Sequence, residues 1–301
     1  MMQPIELRGI LPAVVTPFAA DGRLQGAALE KLLEKLYGAG VHGVYVCGQT
    51  GEGLLQPLAQ RKQAAQIAVR CAPPEKLTVI HVGAADAAGA IELARHAAHI
   101  GATAISSLPP LKGDAKAIRD YYRALAAAAE LPLLLYYFPE IAPAVSEPGL
   151  IEDLLALPGV IGLKFTDYNL YRLWQLRRAG AVVFNGRDAV LAAGLLMRAN
   201  GGIGSFYNLV PELFLRVFDL AAEGRFDEAY CAQNQINELI DIVLQFPLIS
   251  AIKKILRWSG LDCGECHPSL PRLSTDQERE LRSRLAHWSL AGHPFAGLKI
   301  E

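Results

Sequence analysis

A lysine that directly follows an apolar run, Ile161-Gly162-Leu163-Lys164, stands where its charge is expensive. Burying an ammonium among apolar groups costs several kcal/mol unless it is paired or loses its proton. Desolvation favours the neutral amine, and a neutral amine attacks a ketone to form an imine. The iminium is an electron sink, so a carbon–carbon bond one position away can break and leave an enamine. Such chemistry needs a group that moves protons. A phenol such as Tyr136, in the run Tyr136-Tyr137-Phe138-Pro139, serves once an iminium beside it favours its anion. A third segment offers a cradle for an anion. The turn Gly48-Gln49-Thr50-Gly51-Glu52-Gly53 carries little side chain and many open backbone N–H groups, with the Thr50 hydroxyl as a directional donor.

These pieces matter only if the chain brings them together. Short β-rich runs alternate with longer Ala- and Leu-rich amphipathic stretches, the pattern of repeated βα units around a parallel sheet. Strands are expected at 10–15, 43–46, 77–81, 104–106, 133–136, 161–164, 182–184 and 202–204. Helices are expected at 27–38, 57–71, 87–100, 114–130, 148–155, 170–178, 189–198 and 211–222. Pro57, Pro148 and Pro211 sit in first helical turns, and Gly180, Gly201 and Gly224 fall where helices should stop. Eight strands close a barrel, so the fold class is α/β, a (β/α)8 TIM barrel. The strands' C-terminal ends then face one mouth, and the glycine-rich turn, Tyr136 and Lys164 follow the second, fifth and sixth strands. Taken singly, each has a plain structural reading as a tight turn, a packed tyrosine or a rim lysine. Their convergence on one mouth is what points to a site.

The barrel should occupy residues 1–223 and carry the site. After it the strand signals end, and 226–246, 248–258 and 275–288 read as helices of a C-terminal helical extension, 224–301, packed on the barrel. With 52% hydrophobic and 20% charged residues, the 301-residue chain can bury a large core. Lys+Arg 29 against Asp+Glu 30, without a like-charge cluster, points away from nucleic acid and anionic membranes and toward a small molecule. No apolar run approaches the ~20 residues of a membrane span, and the N-terminus lacks the pattern of a secretory signal, so a cytoplasmic protein is expected. Five cysteines in that setting read as reduced thiols, with Cys47 and Cys71 as small core residues. Cys263-Gly264-Glu265-Cys266-His267 matches the C-x-x-C-H pattern of haem attachment, but without export or a second C-x-x-C it reads as a loop, and no metal site is expected. His81, at the end of the third strand, reads as a buried, hydrogen-bonded structural histidine.

On these residues the chain resembles the family that contains N-acetylneuraminate lyase and dihydrodipicolinate synthase. The resemblance runs through Thr16-Pro17-Phe18, Gly48 to Glu52, His81-Val82-Gly83-Ala84, the Tyr-x-x-Pro at Tyr136 to Pro139, and Gly162-Leu163-Lys164 with Thr166. It implies that Lys164 is the Schiff-base lysine and Tyr136 the proton-transfer residue, and that Gln49, Thr50 and Gly51 hold the substrate carboxylate. Asn185-Gly186-Arg187-Asp188 and the segment Gly201 to Asn208 are similar to the lyase branch, where Thr166, Gly186, Asp188 and Ser205 would line the tail pocket. The synthase branch has an arginine where this chain has Ile141, and a tyrosine in the stretch occupied by Pro109-Pro110-Leu111-Lys112. The chain departs from the lyase pattern at Gln49, at Ala189 in place of a glutamate, and at Glu140-Ile141-Ala142-Pro143. Losing a hydroxyl acceptor changes which tails a site accepts.

The expectation is thus a Schiff-base aldolase that cleaves a 2-keto sugar acid, N-acetylneuraminate-like, to pyruvate and an aldehyde without metal or organic cofactor. Alternatives are a 2-keto-3-deoxy aldonate aldolase or dehydratase, a dihydrodipicolinate synthase-like enzyme, and a keto-acid-binding sensor. The family resemblance also implies a homotetramer.

Overall fold

The computed structural model describes residues 7–288. Eight strands run parallel: β1 (Gly9–Pro12), β2 (Gly43–Val46), β3 (Leu77–His81), β4 (Ala104–Ser107), β5 (Leu133–Tyr137), β6 (Val160–Phe165), β7 (Val182–Asn185) and β8 (Gly201–Gly204). From β2 to β8 each strand pairs with the next, and β1 pairs with β8 in register from Gly9 opposite Gly201 to Pro12 opposite Gly204. The remaining seam, between β1 and β2, is closed by a bridge of Ala13 to Tyr45, by the Val14 N–H donating to the Tyr45 carbonyl at 2.9 Å, and by the His42 N–H donating to the Ile10 carbonyl at 3.0 Å while the Ile10 N–H donates to the His42 Nδ1 at 3.1 Å. The seam is thin for a local reason. Pro12 has no N–H to give, and the first strand ends there, three residues short of the apolar run that announced it.

Helices α1 (Gly26–Gly38), α2 (Leu58–Cys71), α3 (Ala87–His99), α4 (Ala115–Ala129), α5 (Leu150–Leu155), α6 (Leu170–Arg178), α7 (Leu191–Leu196) and α8 (Pro211–Ala222) follow the strands in turn. A large apolar layer lies between strands and helices, while Leu11, Tyr45, Val79, Leu134, Phe184 and Ile203 belong to a second cluster formed mainly by strand residues. Because both faces of every strand are covered, the strands read as continuous apolar runs rather than alternating ones. Side chains of Asp86, Asp114 and Asn169 accept the backbone N–H three residues on and start α3, α4 and α6. Two helices are shorter than their sequence suggests. Before α5 the chain makes a separate 3-10 turn (Pro143–Ser146), and α7 ends at Leu196, with Arg198 in the left-handed region at φ 69°. Gly180 and Gly224 do follow helix ends with positive φ, whereas Gly201 opens β8. There a Cβ would meet the Gly9 carbonyl oxygen at 1.9 Å, so close strand pairing requires the glycine.

Helices α9 (Phe226–Val243), α10 (Leu248–Trp258) and α11 (Thr275–His287) come after the barrel and pack on it. The contact is specific. From α9, Gln233 donates to the Asp188 carbonyl (3.0 Å) and accepts the Ala192 N–H, while Asn237 donates to the Ala189 carbonyl at 3.1 Å. From α10, Lys253 is ion-paired with Glu52 of the glycine-rich turn at 2.7 Å, both side chains almost fully buried. The C-x-x-C-H segment is part of the same contact. The Cys263 carbonyl accepts the Phe18 N–H, the His267 N–H donates to Glu52, and Gly264, at φ 68°, lies where a Cβ would stand 1.8 Å from the Phe18 oxygen. Burial pushes the Cys263 thiol up to about 12, which keeps it protonated. Among the described residues, no helix is long and apolar enough to cross a membrane.

Candidate active site

The register of β5 and β6 sets Tyr136 directly opposite Lys164, with Phe184 of β7 on the other side. Lys164 is buried at 4% exposure, and its Nζ lies 4.3 Å from the Tyr136 ring centre and 4.5 Å from that of Tyr45. Two aromatic faces therefore replace water around the amine. Tyr45 donates to the Ser106 hydroxyl at 3.2 Å, and burial holds its phenol well above the ordinary range.

His81 completes an aromatic floor, its ring 6.0 Å from Tyr136 and 6.2 Å from Tyr45. Its Nε2 accepts the Leu108 N–H at 3.1 Å, and burial, with Arg61 and Lys164 nearby, pushes its pKa well below the usual imidazole value. It is thus a neutral, hydrogen-bonded histidine. Arg61, fully buried on α2, donates to the carbonyls of His81 (2.7 Å) and Gly83 (2.6 Å) and ties down the end of β3.

Above this floor opens a cavity of about 630 Å3. Gln49 and Thr50 enter it from the turn after β2, Thr166 from the end of β6, Gly186 and Asp188 from the loop after β7, and Ser205 from the end of β8. The Thr50 and Ser205 hydroxyls are 2.7 Å apart, so these two loops meet. Gly51 stands behind the cavity wall, its carbonyl accepting from the Thr16 hydroxyl and the Gln56 amide, each at 2.6 Å. Two glycines make room for functional groups. A Cβ at Gly186 would stand 2.2 Å from the Thr166 hydroxyl, and one at Gly204 would stand 1.9 Å from Asp188. Asp188 accepts the Phe206 N–H at 2.8 Å, yet desolvation raises its pKa to about 6, with Lys164 acting in the opposite sense.

The chain matches the model of the dihydrodipicolinate synthetase family over residues 6–288. It belongs to that family. Family relatives include an N-acetylneuraminate lyase of Rhizobium meliloti (strain 1021), 33% identical over 286 residues, 94% of this chain and 95% of the relative. Among solved structures, a sialic acid aldolase of Ruminococcus gnavus superposes with a TM-score of 0.89 at 27% identity, covering 97% of this chain and 98% of that one. The N-acetylneuraminate lyase of Fusobacterium nucleatum gives 0.88 at 27% identity, covering 94% and 99%. Membership fits the (β/α)8 fold and a pyruvate-dependent, carbon–carbon-cleaving Schiff-base chemistry.

Several residues of the site escape sequence reasoning. Tyr45 lies inside a four-residue apolar strand with no polar signal around it. Glu52 belongs to the family motif, but its partner Lys253 lies two hundred residues away. Arg187 spans the mouth, ion-paired with Glu140 and lying against the rings of Phe138 (5.3 Å) and Tyr168 (4.7 Å). The departure at Glu140 is the one signal that could have found that pair.

Proposed function

We propose that the chain cleaves a 4-hydroxy-2-keto acid by retro-aldol chemistry, with a 2-keto sugar acid of the kind named in its relatives as the starting hypothesis. The observation that carries this reading is a buried amine held over a tyrosine ring at the floor of a cavity, in a chain of this family. Lys164 attacks the C2 ketone, loses water and forms the iminium. Tyr136 takes the proton of the C4 hydroxyl, the C3–C4 bond breaks toward the iminium, and the aldehyde leaves. Tyr136 then returns the proton to C3 of the enamine, and water hydrolyses the new iminium to free pyruvate. Gln49, Thr50 and the Gly51 region hold the carboxylate, and Thr166, Gly186, Asp188 and Ser205 receive the first hydroxyls of the tail. The barrel, residues 1–223, carries this chemistry, and within the extension 224–301 helices α9 and α10 hold its loops in place. A homotetramer in the cytoplasm completes the reading, with light scattering as the check on subunit number.

Pyruvate release from a panel of 2-keto-3-deoxy sugar acids tests the proposal. Turnover of any member supports it, while binding without turnover would favour a keto-acid sensor. Tyr136→Phe should lower kcat by about 10²–10⁴-fold, the range for a lost general acid–base, with pyruvate still forming the imine; stopped-flow and trapping measurements separate the two steps.

Asp188 supplies a pH prediction. Ionised above about 6, it accepts hydroxyl hydrogen bonds, so KM should rise as pH falls through that value, and Asp188→Asn should flatten the profile. The sign for stability is opposite. A carboxyl whose folded pKa exceeds its unfolded value of 3.8 disfavours folding at high pH, and that penalty fades as pH drops through 6. Asp188→Asn should therefore melt higher than the parent at pH 8 and lose this advantage at pH 4.

A further inference from the structure

The polar groups of the cavity gather at its floor and on the wall nearest Lys164. Most of those farther out are engaged, although the buried Arg187 Nε has no hydrogen-bond partner. Arg187 is paired with Glu140 and lies on two aromatic rings, Glu52 is turned to Lys253, and Gln233 and Asn237 hold the carbonyls of residues 188 and 189. Asp188 has one oxygen on the Phe206 N–H. Among the described residues, the Thr166 hydroxyl is buried and has no hydrogen-bond partner, so it, the Asp188 carboxylate and the Ser205 hydroxyl are the groups placed to meet hydroxyls of a substrate.

Apart from the Phe138, Tyr168 and Phe206 rings, the rest of the lining is largely aliphatic. Leu54 and Leu111 lie on loops that follow β2 and β4, and Ile240, Leu244, Leu248 and Ile249 come from the end of α9 and the start of α10. Leu111 and Leu244 are 57% and 56% exposed, large apolar surfaces left open at the cavity's edge. Ala189 stands beside them. A polyhydroxy tail laid along this wall would give up water for side chains that neither donate nor accept. An alkyl or aryl tail would instead remove apolar surface from water on both sides.

We propose that the substrate's aldehyde half is apolar beyond its first carbons: a 4-hydroxy-2-keto acid whose C4 hydroxyl meets the Thr166–Asp188 side of the cavity and whose remaining alkyl or aryl chain lies on the leucine–isoleucine wall. The inference rests on the aldolase reading above and narrows its substrate class. In the synthetic direction, C3 of the Lys164-bound enamine attacks the aldehyde carbon, the new alkoxide takes a proton, and water releases the aldol.

The test uses the whole chain with pyruvate and four aldehydes, hexanal and phenylacetaldehyde against N-acetylmannosamine and arabinose. Borohydride trapping of pyruvate on Lys164 runs in parallel. The expected result is trapping together with a kcat/KM for the apolar aldehydes at least about tenfold above that for the sugars, the scale on which hydrophobic pockets discriminate. Leu244→Asn, at an exposed position, should reduce that ratio about fivefold or more. Trapping with equal or better use of the sugars, or with no aldehyde accepted, overturns the inference and leaves the Schiff-base reading standing. Failure to trap pyruvate at all overturns both.

Discussion

Lys164→Ala should abolish the covalent capture of pyruvate by borohydride and lower turnover by at least about 10⁴-fold, since no other group supplies the imine. Lys164→Arg should do the same. It keeps a cation among the rings of Tyr45 and Tyr136, but a guanidinium does not become the neutral nucleophile that imine formation demands. Intact-mass spectrometry after reduction reads the outcome directly, and peptide mapping must place the added mass on residue 164. Capture on a different lysine, with Lys164→Ala still active, would remove the basis of the proposed chemistry. The retained fold of both variants can be checked by their melting transitions.

The second large effect is expected at Glu52 and Lys253. Their pairing at 2.7 Å is buried on both sides, with the Lys253 ammonium also donating to the Glu265 carbonyl at 2.9 Å and lying 4.4 Å from the Phe18 ring centre. Lys253→Met would leave a carboxylate in the interior without its cation, a loss of about 3–5 kcal/mol. Glu52→Gln should cost a similar amount. The double variant Glu52→Gln/Lys253→Met should recover a substantial part, because neither charge is then stranded. Urea unfolding of the four proteins gives the coupling energy. Additive losses would mean that the two residues act separately. The pair also governs function at a distance from the amine. It anchors the turn that carries Gln49 and Thr50, so Lys253→Met should raise the KM for pyruvate more than it lowers kcat.

The parts of this molecule that were legible in its sequence are those encoded locally. All eight strands are recognisable because a strand covered on both faces needs an unbroken apolar run, and runs such as Leu133–Tyr137 stand out against Ala-rich helices. Lys164 and Tyr136 are legible for the opposite reason, as polar groups at the ends of such runs. Ends of elements are less so. The first strand stops at Pro12 although Ala13, Val14 and Val15 remain apolar, because after Ala13 makes a last bond to Gly204 of β8, Val14 turns to β2 and Val15 to Asn208. Long-range partners leave no local trace. Nothing near Glu52 announces Lys253, nothing near Ala189 announces Asn237, and the aliphatic side chains at the end of α9 read as ordinary helix until the fold carries them to the cavity. The family motifs supplied roles for residues that spacing alone would have left as turns and core.

The weak closure between β1 and β2 has a consequence for how the barrel breathes. Two backbone amides, those of Val14 and His42, and the His42 ring cross that joint, and the strand on its far side carries the Tyr45 ring that screens the amine. A transient parting there would need to rupture only those few bonds, and it would admit solvent beside the nucleophile. Nucleophile reactivity and mechanical integrity thereby meet at one seam, so that tightening it would quiet both hydration of the amine and local opening of the barrel.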